Sequence, residues 1–249
     1  MDLADSVRRF WDADAPTYDR SPDHGAATPT ERAAWSAAVA RLLPTPPARV
    51  LDAGAGTGFL SLAAARLGHQ VTAVDLSPGM LARLREAAER EGVSIEVVEG
   101  GAEQPPPGPF DAVIERHLLW TLPDPAAALA AWRRAAPNGR LVLFEGLWGR
   151  VDPIEHLRQR AREGWRRLRG EPHHHHDSYD AEMVAELPLA SGVHPDRLIR
   201  LVEQSGWGPA RLERLRDVEW AQLLSLPTSA RLLGVVPRLA ISAGPLTPA

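Results

Sequence analysis

Apolar positions along the chain follow two periods, and the switches between them predict the order of elements. Val7, Phe10 and Trp11 fall on one helical face and predict a helix over 7–18; Trp35 to Leu43 predicts a second, ended by Pro44, Pro46 and Pro47. A short apolar run, Arg49 to Asp52, then leads through a glycine-rich turn into the helical pattern Leu60 to Leu67. Gln70 to Val74 reads as a second strand ending at Asp75, after which Ser77 caps and Pro78 opens a helix running to about Arg90, with Gly92 as its stop. Val93 to Val98, Phe110 to Ile114 and Leu141 to Glu145 read as further strands, with a helix over Pro125 to Ala135 and a turn at Pro137-Asn138-Gly139. Such alternation with short connections predicts a parallel sheet covered by helices on both faces.

Past Trp148 the strand signal lapses. Residues 150 to 190 are arginine-rich, keep helical spacing and contain the run His173 to His176, so they read as a helical insertion over the sheet's carboxyl edge. Asp196 to Gln204 predicts a helix stopped by Gly206, and Ala210 to Leu215 and Arg238 to Ser242 predict two closing strands. The expected organisation is one domain: an amino-terminal helical cap (1–47), a core (48–147), the insertion as a lid (148–192) and a carboxyl-terminal helix with strands (193–249).

Composition removes several chemistries. The 249 residues contain no cysteine, which excludes disulfides, thiol nucleophiles and thiolate-held metals. Every one of the 28 basic side chains is arginine, so a Walker-type phosphate loop and a Schiff-base lysine are both impossible. A net charge of −4 argues against binding nucleic acid through bulk charge. The first ten residues are charged where a signal peptide needs an apolar stretch of roughly 7–15 residues, and no run approaches the roughly 20 apolar residues of a membrane helix. A soluble cytoplasmic protein is expected.

The chemistry concentrates in Val50-Leu51-Asp52-Ala53-Gly54-Ala55-Gly56-Thr57-Gly58-Phe59. A glycine-rich turn between strand and helix admits a ligand close to the backbone at the sheet's carboxyl edge. A dinucleotide fingerprint wants G-x-G-x-x-G, but the third glycine here comes one place early and Phe59 stands where that pattern needs a small residue. The acid Asp52 ahead of the turn favours a cationic group over a pyrophosphate. Asp75, at the end of the next strand, is placed to accept both hydroxyls of a ribose. With Met80 available to an adenine face, these residues suit a nucleoside that carries an amino acid.

In these features the sequence resembles the class I S-adenosylmethionine-dependent methyltransferases, from about Trp11 to Leu215. Val50 to Gly58 resembles the family's first motif, Val71 to Leu81 its ribose and adenine motif, Phe110 to Pro125 its fourth-strand motif and Pro137 to Glu145 its fifth-strand motif. The resemblance implies a doubly wound, mostly parallel α/β sheet of seven strands, with S-adenosylmethionine as cofactor and S-adenosylhomocysteine as product. It also implies that Gly54, Gly56 and Gly58 pass close to the methionine part, that Asp52 orients its ammonium, and that Leu76 and Met80 flank the adenine while Asp75 holds the ribose. Where the family often has an acid followed by alanine after the third strand, this chain reads Gly100-Gly101-Ala102-Glu103; Gly101 counts among the expected cofactor-binding residues but has no side chain for the adenine amino group, which falls to backbone at Ala102 or to Glu103. Tyr18 resembles an aromatic that closes over the cofactor in related enzymes.

Arg116 and His117 leave the fourth strand at the same edge. His117 is the candidate proton acceptor, since an imidazole titrates near neutral pH. Trp11, Trp120 and Trp148, with His174 and Tyr179, are the candidate walls of an acceptor pocket. Four adjacent histidines fan apart in a helix and alternate faces in a strand, so the run predicts no metal site. The expected function is methyl transfer to oxygen or nitrogen of a small-molecule specialised metabolite, in a homodimer or with a partner subunit. Two alternatives stand beside it: a different reaction on the same fold, such as an intramolecular displacement or cyclisation, and a non-catalytic partner subunit.

Overall fold

The structure, a computed structural model, describes residues 3–20, 24–146, 153–168, 179, 181–190, 192 and 194–246. Trp148, His174 and the rest of the histidine run lie outside them. Alternation along the strands builds the core. Val50, Ile114 and Val142 face one side of the sheet with Trp35, Val39 and Leu60, while Leu51, Val113 and Leu143 face the other with Leu129 and Trp132.

The strands are β1 (Arg49–Ala53), β2 (Gln70–Asp75), β3 (Ile95–Glu99), β4 (Ala112–Arg116), β5 (Arg140–Gly146), β6 (Ala210–Arg214) and β7 (Arg238–Ala243). They form one sheet in the order β3-β2-β1-β4-β5-β7-β6. β1 to β5 pair in parallel, and β7 runs antiparallel to both β5 and β6. The strand order reverses between β1 and β4, and it is outside the carboxyl ends of strands at such a switch point that open α/β sheets bind ligands.

The helices are α1 (Leu3–Asp14), α2 (Pro29–Leu42), α3 (Phe59–Arg66), α4 (Pro78–Glu91), α5 (Pro125–Ala135), α6 (Pro153–Leu168), α7 (Ala181–Glu186), α8 (Pro195–Val202), α9 (Arg216–Ser225) and α10 (Thr228–Arg231). α4 starts as expected: the Ser77 hydroxyl accepts from the Met80 amide and Pro78 takes the first helical position. Elsewhere boundaries move for local reasons. α1 ends at Asp14, ahead of Pro16, and Tyr18 sits in a separate tight turn. α2 begins six residues before Trp35, because the Thr28 hydroxyl accepts from the Glu31 amide while the Glu31 carboxylate accepts from the Ala27 amide. Phe110 is buried but precedes β4, since its amide donates to Ala135 at the end of α5 rather than to a neighbouring strand. α9 and α10 have no counterpart in the sequence reading; α9 covers the sheet through Val218.

Candidate active site

The glycine turn follows β1 with three left-handed backbones, at Gly54, Gly56 and Gly58, whose φ values are 67°, 55° and 93°. Each does a different job. A Cβ at Gly54 would lie 2.5 Å from the Leu118 side chain, and one at Gly58 2.7 Å from Leu84, so these two permit close packing. A Cβ at Gly56 would meet nothing within 4 Å and would project into open space. That space is a cavity of about 520 Å³, within the size range of small-molecule sites.

Residues after four successive strands border the cavity: Gly54 and Gly56 after β1, Asp75, Leu76 and Met80 at and after β2, Gly101 to Gln104 after β3, and Arg116 to Leu118 at and after β4. α1 covers it with Leu3, Ala4, Val7 and Trp11, and Tyr18 completes that wall. The cover is held by Asp12, whose Oδ1 accepts from the Ser77 hydroxyl at 2.6 Å and from the Gly79 amide at 2.9 Å. A second tie is the Thr57 hydroxyl, which donates to Asp19 at 2.6 Å.

Asp75 is fixed at both oxygens. The Gly56 amide donates to Oδ2 at 2.8 Å and the Ser77 amide to Oδ1 at 2.9 Å, leaving lone pairs on each oxygen for a diol. Burial pushes its carboxyl up from the ordinary value, against the pull of those two amides. Gly101, Ala102 and Glu103 border the cavity as well, and the Trp132 indole anchors this loop by donating to the Ala102 carbonyl at 2.7 Å. The Tyr18 ring stacks on His24 at 3.9 Å, and burial raises its hydroxyl to about 12, so it stays a neutral phenol.

Other expected site residues sit behind the cavity wall. Asp52 is 1% exposed and does not border the cavity; its Oδ2 accepts from the Ser61 hydroxyl on α3 at 2.6 Å, and burial raises its carboxyl to about 7. Gly58 acts through packing. The aromatic group turns inward on itself: Trp120 lies 5.2 Å from Tyr179 and 6.2 Å from Trp11, and of the three only Trp11 borders the cavity. Tyr179 packs with Val7 and Met183, joining the insertion to α1.

At the end of β4, Arg116 spreads its guanidinium 4.0 Å over the Phe59 ring and donates to the His24 carbonyl at 3.0 Å. His117 takes a left-handed backbone, φ 58°, which turns the chain off the strand and keeps the residue on the cavity border. Burial first, then the cations Arg116 and Arg238 and the ring of His24, hold its imidazole well below the ordinary value, so it is neutral. Its Nδ1 lies 3.1 Å from Glu145 Oε2 and its Nε2 3.4 Å from Arg238 Nη1. Glu145 and Arg238 were missed in the sequence, although each is a charge near the end of a mainly apolar strand. The cavity residues Leu3, Ala4, Gln104 and Thr121 to Asp124 carried no signal of their own.

This sheet order, with β7 reversed, a glycine turn at the switch point and an acid at the end of β2, defines a class I methyltransferase fold. Known structures share it. A phosphoethanolamine N-methyltransferase of Haemonchus contortus, solved with phosphomonomethylethanolamine and S-adenosylhomocysteine, aligns over 100% of this chain and 61% of its own with a TM-score of 0.63 and 16% identity. The 4+2 cyclase SpnF aligns over 99% and 97% with a TM-score of 0.62 and 16% identity, so the fold by itself leaves the reaction open. Residues 51–143 match the family described as a methyltransferase domain. The ubiquinone biosynthesis O-methyltransferase of Xanthomonas campestris is 43% identical over 143 residues, 55% of this chain and 56% of that relative. The chain thus spans about half the length of the curated relatives it matches.

Proposed function

We propose that the protein is an S-adenosylmethionine-dependent methyltransferase that methylates an oxygen or nitrogen of a small specialised metabolite. The observation that carries this reading is the pairing of Asp75, fixed at both oxygens, with the open space in front of Gly56. The residues fit the cofactor: an acid with free lone pairs for a ribose diol, a backbone without a Cβ for close approach, and Met80 and Ala102 on the same cavity. The family match and the 43% identical O-methyltransferase support it.

When bound, the cofactor supplies a methyl group on a sulfonium, whose departure needs no proton donor. Asp75 binds and orients the ribose, Met80 and Leu76 flank the adenine, and the Gly101 to Glu103 loop borders its edge. α1 and Tyr18 exclude water, so that positioning and desolvation supply much of the rate. His117 receives the proton that an acceptor hydroxyl or amine gives up, at the Nε2 that now faces Arg238 at 3.4 Å. Titration calorimetry with S-adenosylmethionine and S-adenosylhomocysteine tests the reading. Micromolar binding of both, lost in Asp75→Ala, is expected; a folded protein that binds neither would refute it. Mass spectrometry of candidate acceptors then looks for the gain of one methylene.

A further inference from the structure

Behind the cavity wall a chain of polar side chains crosses the sheet. The Gln222 carbonyl on α9 accepts from Arg238 Nε at 3.3 Å; Arg238 Nη1 reaches His117 Nε2 at 3.4 Å; His117 Nδ1 reaches Glu145 Oε2 at 3.1 Å. Arg238 is 3% exposed, and the side chains of His117 and Glu145 are 19% and 7% exposed. We propose that Arg238 and Glu145 are positioning residues that hold His117 in one tautomer, with its proton on Nδ1 and a lone pair on Nε2, for use as the proton acceptor.

The argument is one of donors and acceptors. A guanidinium can only donate, so the ring nitrogen facing it must carry the lone pair. In a neutral imidazole the proton then lies on the other nitrogen, Nδ1, which donates to Glu145 Oε2. Fixing the tautomer through a carboxylate on the far nitrogen is how acid–histidine pairs prepare a basic nitrogen. Every charged group facing the ring bears on this state: Arg116 from its own strand, Arg238 from β7, Glu145 from β5 and His24 from the segment before α2. Burial first, and then the cations, keep the ring neutral, so its lone pair is available at neutral pH. Glu145 lies close enough to the buried Glu115 for the two to titrate together, and burial raises both carboxyls. A proton kept by that pair must sit away from Oε2, since Oε2 accepts from Nδ1. Glu115 for its part accepts from the Leu118 amide at 2.8 Å and so braces the turn after His117.

During turnover the arriving acceptor takes the place of Arg238 at Nε2. Its O–H bond breaks and a new N–H bond forms on Nε2, the O–H electron pair staying on the oxygen, which would take up the methyl group as that group's bond to sulfur breaks; the guanidinium is left beside that oxygen. This use of the ring rests on the methyltransferase reading, whereas the tautomer does not.

Long-range proton–nitrogen NMR of the histidine rings in the full chain, with the His117 signals assigned by His117→Gln, measures the tautomer without any acceptor. Wild type should show His117 with its proton on Nδ1, staying neutral as pH falls through the ordinary imidazole value of about 6.5. Arg238→Met should raise the His117 midpoint by about one pH unit or more and admit the Nε2–H tautomer, whereas Glu145→Gln, whose carbonyl still accepts from Nδ1, should keep the wild-type tautomer. An Nε2–H signal in wild type, or protonation of His117 near the ordinary imidazole value, would overturn the proposal, as would an Arg238→Met protein unchanged in both respects. Should Arg238→Met not fold, the wild-type spectrum alone decides. S-adenosylhomocysteine calorimetry on the same samples separates the two claims: lost binding with the tautomer intact counts against the methyltransferase reading alone.

Discussion

Replacing Asp52 by asparagine removes a buried charge while keeping the acceptor for the Ser61 hydroxyl. In the folded protein burial raises the Asp52 carboxyl from 3.8 to about 7, opposed by its hydrogen bonds with Ser61. A carboxyl whose folded value is raised stabilises the fold below its unfolded value, and that contribution is lost as pH rises through the folded value. A rise of about three pH units at about 1.4 kcal/mol each puts the full cost near 4 kcal/mol above pH 7. Asp52→Asn escapes this cost, so its advantage over wild type should grow by about 3 kcal/mol between about pH 5 and pH 8. For a chain of this size that is a relative gain of about 6–12 °C in Tm. Thermal and urea unfolding of both proteins at the two pH values measure the difference, in which all other titrations cancel. Equal pH dependence in both proteins would refute the reasoning, because it would mean that the carboxyl titrates alike folded and unfolded. The same variant tests the expected role of Asp52 in holding the ligand's ammonium. Since the carboxyl does not border the cavity, Asp52→Asn should bind S-adenosylhomocysteine within a few-fold of wild type, and a loss of tenfold or more would mean that the charge reaches the ligand.

Two further outcomes bear on the cover and the floor of the site. Asp12→Ala removes the acceptor shared by Ser77 and Gly79 and should cost about 1–3 kcal/mol, with faster hydrogen exchange confined to α1. Unchanged exchange there would mean that apolar packing alone holds the cover. Trp132→Phe leaves the Ala102 carbonyl without its indole donor and should cost a similar amount, with weaker S-adenosylhomocysteine binding in calorimetry. Lost stability with unaltered binding would detach the Gly101 to Glu103 loop from the ligand.

The sequence alone determined the αβ alternation, the glycine turn at 54–58 and the acid at 75, because these depend on local spacing: a period of two or 3.6, a cap, and a residue without a Cβ where φ is positive. Seven strands and the cofactor motifs were legible for the same reason. Tertiary structure alone decided which side chains meet. Asp52 stands two residues before Gly54, yet the pleat of β1 sends it under α3 to Ser61, whereas Asp75 at the end of β2 reaches the cavity. Glu145 and Arg238 lie 93 positions apart on strands that pair antiparallel, and only that pairing brings both to His117. α1 became a cavity wall through contacts of Asp12 with residues 65 and 67 positions away. No local period encodes such distances, since they are set by sheet order and by which helix covers which edge. The tryptophans show the same division: Trp11 and Trp120 were both expected to wall a pocket, but packing turned Trp120 towards Tyr179 and left Trp11 to face the cavity.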